Sequence, residues 1–251
     1  MTRNSIQPDI KSLDPQWYQK WFDSNYILLY RHRNLDDARK QTGLILNTIP
    51  IGKSDVILDL GCGTGRYCHL FQEEGFTIIG LDLSESLLKY GRKQFPDSML
   101  VRGDMRRIPG KFDVILSLFT SFGYFPEKKE DQRALNEISN SLKPGGYYWL
   151  DYLNPTFIRK HLIPESTISL ENGTNIIEKR FIVEDFVVKT IDFYYLDTRK
   201  QYLERVRLYE KDELMDMLKE AGIAIKGVFG DYNGNQWNSE SERTIIYGTR
   251  M

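Results

Sequence analysis

The densest chemistry in the chain lies between residues 59 and 104. Gly61, Gly63 and Gly65 alternate with Cys62 and Thr64, and a run this rich in glycine lets backbone approach a ligand without Cβ collisions and tolerates positive φ. Neither familiar phosphate pattern completes it: Arg66 stands three residues after Gly63, where a dinucleotide turn carries glycine, and no Gly-Lys-Ser/Thr follows. Instead Asp59 precedes Gly61 by two residues, where its charge repels a pyrophosphate and suits a cation. Asp82, in GLDLS, occupies a place where an acid accepts hydrogen bonds from both hydroxyls of a ribose, a feature that fits NAD as well. Asp104, in RGDMRR, can take the amino group of an adenine. Together the three acids describe an ammonium, a ribose and an adenine.

Apolar runs and helical patterns alternate around these residues: VILDL (56 to 60), FTIIGLDL (76 to 83), MLVRG (99 to 103), FDVILSL (112 to 118) and YYWLDYL (147 to 153). Strand, helix and strand in succession predict an α/β fold whose parallel sheet sets the acids at strand ends. Ahead of it, Trp17, Trp21, Phe22, Tyr26, Leu29 and Tyr30 recur at helical spacing, as do Leu44, Leu46 and Ile49, and predict a helical arm. From 174 to 210 the period changes to two, as in Ile177, Lys179, Phe181 and Val183. This predicts an antiparallel meander of three strands, turning at Glu184-Asp185 and over Asp197 to Lys200. The α/β pattern resumes with a helix near 211–221, a stop at Gly222 and strands near 223–229 and 243–249. The expected division is an arm or lid (1–54), a core (55–154 and 211–251) and an inserted β subdomain (155–210).

The pattern Asp59-Leu60-Gly61-Cys62-Gly63-Thr64-Gly65, the acid ending the second strand, the Asp104-Met105 pair, the segment FDVILSLFTSFGYF and LKPGG (142 to 146) together resemble the class I S-adenosylmethionine-dependent methyltransferases. The resemblance covers roughly residues 55 to 154. It implies a doubly wound, mostly parallel seven-stranded sheet of order 3-2-1-4-5-7-6 with the last strand antiparallel, and S-adenosylmethionine as cofactor. It further implies that the methionine moiety lies over Gly61, Cys62, Gly63 and Gly65, with Asp59 near its ammonium and the carbonyl near Leu118 facing it. Asp82 would hold the ribose, Leu83 would pack on the purine, and Asp104 with the Met105 backbone would recognise adenine. The methyl group then projects at the switch point between strands one and four.

Methyl transfer from a sulfonium is an in-line displacement on an activated carbon, so positioning in a dry pocket supplies much of the catalysis and no fixed triad is required. No catalytic residue is assigned. The expected acceptor contacts are Tyr18, Tyr30 and Arg33 in the arm, Tyr124 after the fourth strand, Tyr152 at the end of the fifth, and Trp237 and Arg243 near the last loop. Asp151 and Asn154 are expected to face the same cleft, and the meander to roof it or to make a dimer contact. His32 belongs to the arm that closes over the donor in many such enzymes, whereas His69 and His161 read as ordinary residues.

With 34 Lys and Arg against 35 Asp and Glu the formal charge is −1, so nothing global attracts nucleic acid or an anionic membrane. Leu118-Phe119-Thr120-Ser121 stands where methyltransferases of base amino groups commonly carry Asn/Asp-Pro-Pro-Tyr/Phe, which also disfavours nucleic acid. No apolar run approaches the roughly 20 residues of a membrane span, the first ten residues lack a signal-peptide core, and the cysteines number two. These features predict a soluble, cytoplasmic protein. No His/Cys/acid cluster has metal-ligand spacing, so no metal is expected. The expected activity is methyl transfer to N, O or C of a small organic acceptor, by a monomer or homodimer. A protein or RNA methyltransferase and a non-catalytic S-adenosylmethionine-binding module are the alternatives. A NAD-dependent oxidoreductase fits less well, since the third glycine is missing and Asp59 has no role in it.

Overall fold

In the computed structural model, which describes residues 14–31 and 35–251, β1 (Val56–Leu60) is the central strand of a seven-stranded sheet. It lies parallel between β2 (Thr77–Asp82) and β4 (Phe112–Ser117). Outside them run β3 (Met99–Arg102) on one side and β5 (Leu142–Leu153), β11 (Arg243–Arg250) and β10 (Ile223–Phe229) on the other. Only β11 is antiparallel, pairing with both β5 and β10, so the order within this sheet is 3-2-1-4-5-7-6 as the resemblance implied.

Central strands buried on both faces read as continuous apolar runs, and VILDL is one. Ile57 points to the face covered by α3 (Leu35–Thr48), α4 (Arg66–Glu73) and α5 (Glu85–Gln94), through Ile45, Phe71 and Leu88. Leu58 points to the opposite face, covered by α6 (Lys128–Ser141) and α8 (Lys211–Glu220) through Leu135, Ile138, Leu214 and Leu218. Each such fully buried side chain contributes about 1.5–3 kcal/mol of apolar burial. Because β2 and β3 lie to one side of β1 and β4 and β5 to the other, the connections diverge at this point and leave a crevice at the carboxyl ends of β1 and β4.

After α7 (Pro155–His161) comes a separate antiparallel sheet in sequential order: β6 (Glu165–Ser169), β7 (Asn175–Val183), β8 (Phe186–Tyr195) and β9 (Thr198–Arg207). It carries one strand more than the alternation predicted. Its last turn is also tighter than Asp197 to Lys200: strand pairing resumes at Thr198, leaving Leu196 and Asp197 as the turn, with Leu196 at φ +49°. The short helices α1 (Trp17–Trp21) and α2 (Ser24–Leu29) bury Trp17, Trp21 and Leu29 against Ile176, Ile191, Phe193 and Tyr202 of this sheet. Trp21 Nε1 donates to Glu204 Oε2 at 3.0 Å, and the Ser84 hydroxyl donates to the Phe22 carbonyl at 2.5 Å, so the arm is tied to both sheets. No helix among the described residues is long and apolar enough to cross a membrane.

Candidate active site

The glycine turn fills the crevice beyond β1. Gly61 has φ +79°, and an added Cβ there would stand 2.6 Å from Ser121 Cβ, so the turn needs glycine both for its backbone and for the approach of the β4 loop. The Gly61 N–H donates to the Leu81 carbonyl at 2.7 Å, fixing the turn to β2. A cavity of about 320 Å³ opens over it. Asp59, Gly61, Cys62, Gly63, Asp82, Leu83, Asp104, Met105 and Leu118 all line this cavity. Gly65 does not: it starts α4 at φ +78°, where a Cβ would meet Leu100 at 2.8 Å, so its role is packing against β3.

The three acids differ in state. Asp59 is 1 % exposed, and burial, followed by the negative charge of Asp82, pushes its pKa up to about 7. The Cys68 thiol donates to it at 3.8 Å, and this bond and the positive charge of Arg66 offset the rise only in part. A buried acid on a cavity wall suits the cationic group of a ligand. Asp82 accepts the N–H of Gly63 at Oδ2 and that of Ser84 at Oδ1, both at 2.8 Å; burial outweighs these bonds and raises its pKa. Its carboxylate is thereby held in one orientation. Asp104 is also partly desolvated, but Arg106 overrides this and holds its pKa low, donating from N at 2.9 Å and Nε at 3.0 Å to Oδ1, and from Nη2 at 2.7 Å to Oδ2. Oδ1 is saturated, whereas Oδ2 retains one lone pair, enough for one amino hydrogen. Cys62 and Cys68 are unpaired and buried, and their mutual contact and burial raise the Cys62 thiol pKa.

Residues 57–146 match the family model described as a methyltransferase domain. That stretch carries a methyltransferase domain, the part of the chain on which the resemblance to class I S-adenosylmethionine-dependent methyltransferases rests. Among its relatives is the dTDP-3-amino-3,4,6-trideoxy-alpha-D-glucopyranose N,N-dimethyltransferase of Streptomyces venezuelae, 36% identical over 126 residues. That match spans 48% of this chain and 52% of the relative, about half the length of each. The dTDP-3-amino-3,6-dideoxy-alpha-D-glucopyranose N,N-dimethyltransferase of Streptomyces fradiae is 23% identical over 83% of this chain and 86% of its own. The fold matches the crystal structure of an S-adenosylmethionine-dependent methyltransferase from Clostridium acetobutylicum with TM-score 0.76 at 21% identity, covering 93% of this chain and 98% of the other.

The cavity over the glycine turn shares four aromatic walls, Phe22, Tyr26, Phe119 and Tyr124, with a second cavity of about 250 Å³. The second cavity lies against the antiparallel sheet, with Val187 and Val206 beside Arg180, Lys189 and Glu204. Of the expected acceptor contacts, Tyr18, Tyr30 and Tyr124 line the cavity over the glycine turn and Tyr124 lines both. Arg33 and His32 lie outside the described residues. Tyr152 lines neither cavity. It is fully buried beside Phe122 and Tyr209, and its hydroxyl donates to the Arg207 carbonyl. Trp237 also falls outside both, because its loop folds back on β11: Nε1 donates to Thr244 Oγ1 at 3.0 Å and Lys211 sits 4.8 Å over the ring. Arg243 reaches the second cavity but is engaged by Asp151 and by Thr120. Asp151 is wholly buried, and Asn154 caps α7 while donating to the Ser241 carbonyl at 2.7 Å, so neither faces the cleft. His69 stacks on Phe95, and His161 packs at a tilt against Phe157.

One contributor escaped the sequence argument. Gly91, inside α5, lets that helix touch the glycine turn: an added Cβ would stand 2.4 Å from the Thr64 carbonyl oxygen. A glycine in the middle of the helical segment KYGRK was the available signal, since such a residue is unfavourable unless something approaches it.

Proposed function

We propose that this methyltransferase transfers the methyl group of S-adenosylmethionine to an amino nitrogen of a small polar acceptor seated in the second cavity. The observation that carries the donor half is the pairing, on one cavity, of a fully buried Asp59 with an Asp82 already oriented by two backbone amides. Asp59 would neutralise the donor's ammonium, with the Leu118 carbonyl nearby. Asp82 would accept the ribose hydroxyls, Leu83 would pack on the purine, and Asp104 with the Met105 amide would select adenine. When bound, the donor supplies an electrophilic methyl on a sulfonium that departs as a neutral thioether.

The acceptor half rests on the relatives, two of which are named as N,N-dimethyltransferases of dTDP-amino sugars, and on the second cavity's adjacency to the β4 loop. Phe22, Tyr26, Phe119 and Tyr124 would exclude water from the reacting pair, and their π faces favour the positive charge that moves between sulfur and nitrogen. Tyr18 and Tyr30 would close the donor side. We read 55–154 and 211–251 as the catalytic core, 1–54 as the arm over the donor and 155–210 as the inserted subdomain that walls the acceptor. The charge of −1 supports a small acceptor over nucleic acid, and two unpaired, buried cysteines support a reducing, cytoplasmic setting.

Calorimetry with S-adenosylhomocysteine tests the donor half. Incubation with S-adenosylmethionine and dTDP-3-amino-3,6-dideoxy-α-D-glucopyranose, read by mass spectrometry for one or two added methyl groups, tests the acceptor half. Absence of S-adenosylhomocysteine binding overturns the first, and an unmodified amino sugar alongside a methylated non-amine overturns the second.

A further inference from the structure

The loop that leaves β4 is strained at residues that are not glycine. Phe119 has φ +53° and Thr120 φ +62°, two consecutive side-chain-bearing residues in the left-handed region. Such a conformation persists only where the surroundings impose it. Here they do so through Asp151, near the end of β5 and fully buried. Its Oδ2 accepts the Phe119 N–H at 2.8 Å and its carbonyl accepts the Thr120 N–H at 3.0 Å. Arg243, the first residue of β11, donates from Nε to Asp151 Oδ1 at 2.8 Å and from Nη2 to the Thr120 hydroxyl at 2.8 Å. The Tyr232 hydroxyl donates to Asp151 Oδ2 at 3.0 Å. The guanidinium carbon also stands 5.6 Å from the centre of the Phe119 ring, which walls both cavities.

We propose that Asp151, Arg243 and Tyr232 form a clamp that holds Phe119 and Thr120 in their left-handed conformation, and so sets the distance and angle at which an acceptor meets the methyl group. None of the three lines the donor cavity, and Arg243, which reaches the second cavity, has its guanidinium engaged by Asp151 and Thr120, so they are positioning residues. The inference rests on the second cavity being the acceptor chamber. Its physical basis is the steep dependence of an in-line displacement on alignment, where an error of about 1 Å is worth about 100-fold in rate. A backbone released from the left-handed region would carry the Phe119 ring away from the junction while leaving the glycine turn in place.

The experiment compares Asp151→Asn, Arg243→Lys and Thr120→Val with the wild-type chain. Arg243→Lys keeps the charge but loses the fork that reaches Asp151 and Thr120 together. Amide hydrogen exchange at Phe119 and Thr120, followed by NMR, is expected to speed up at least tenfold in each variant, with exchange in β1 unchanged. S-Adenosylhomocysteine affinity should stay within about threefold of wild type. With dTDP-3-amino-3,6-dideoxy-α-D-glucopyranose as probe acceptor, kcat should fall about 100-fold in Asp151→Asn and Arg243→Lys, with KM for S-adenosylmethionine nearly unchanged. Should Asp151→Asn fail to fold, Thr120→Val, which removes only the hydroxyl acceptor, decides the matter. Unchanged exchange at the two amides, or fast exchange with undiminished kcat, overturns the clamp. If the wild-type chain leaves the probe unmethylated, the amino-sugar reading falls, and the clamp is still decided by exchange at Phe119 and Thr120.

Discussion

Replacing Asp82 by alanine removes two sets of interactions, and the structure separates them. Toward the donor it deletes a charged acceptor of the ribose hydroxyls, and hydrogen bonds to a charged group are worth about 1.5–3 kcal/mol, so the S-adenosylhomocysteine dissociation constant should rise about 10- to 100-fold. Toward the protein it strips the 2.8 Å acceptor from the amides of both Gly63 and Ser84, which lowers the stability of the unliganded chain by about 1 kcal/mol for each amide that water does not reach. Asp82→Asn is no gentle substitute: one end of its amide must present N–H to an N–H donor, so one of the two backbone bonds is lost in either flip. Calorimetry measures the first effect and thermal denaturation without ligand the second. Because the Asp82 charge also raises the Asp59 pKa, the alanine variant should shift the pH dependence of donor binding toward lower pH. An Asp82→Ala protein that binds S-adenosylhomocysteine within threefold of wild type refutes the ribose assignment. One that binds weakly but melts unchanged refutes the account of the two amides.

Asp59 makes donor binding pH-dependent: below its pKa of about 7 the donor's ammonium must displace a proton, so affinity should rise about tenfold per pH unit between 5 and 7 and level off above, while Asp59→Asn should give a flat, weaker profile. The sign for folding is opposite, because between 3.8 and about 7 the folded chain holds a proton that the unfolded chain has released. Asp59 therefore makes the ligand-free fold less stable as pH rises through that window, and urea titrations at pH 4.5 and 7.5 on wild type and Asp59→Asn measure the difference. Gly91→Ala should destabilise by about 1–3 kcal/mol, since its Cβ cannot coexist with the Thr64 carbonyl 2.4 Å away unless α5 shifts. Gly43→Ala in α3, where nothing lies within 4 Å, should instead stabilise by about 0.5–1 kcal/mol, and urea denaturation compares the pair.

That the three acids share one cavity was legible because their placement is local. Asp59 is the penultimate residue of β1, Asp82 ends β2 and Asp104 follows β3, and parallel pairing of β1 with β2 and of β2 with β3 carries them to one edge of the sheet. The acceptor side was less legible because its walls are assembled from distant segments. Tyr152 and Asp151 are neighbours on β5, a strand covered on both faces, so no alternation of polar and apolar residues says which of them, if either, meets a ligand. Trp237 has the composition of a recognition residue, yet a loop of this length can close on its own strand as readily as on a cavity. β6 reads Glu-Ser-Thr-Ile-Ser and gives no apolar alternation to find; the unpaired edge of β7 defines it. Nothing in Phe119-Thr120 announces positive φ, since neither residue is Gly, Asn or Asp, and the conformation is dictated by Asp151 and Arg243, 32 and 123 residues away in sequence.

The two cavities draw their chemistry from different parts of the chain. Donor-facing acids belong to β1, β2 and the turn after β3, whereas Arg180, Val187, Lys189, Glu204 and Val206 on β7, β8 and β9 wall only the second cavity. On the proposed reading, natural drift or laboratory selection confined to those five positions would retarget the enzyme to new acceptors while leaving its grip on the nucleoside untouched. Only the four shared rings would need to satisfy both occupants at once.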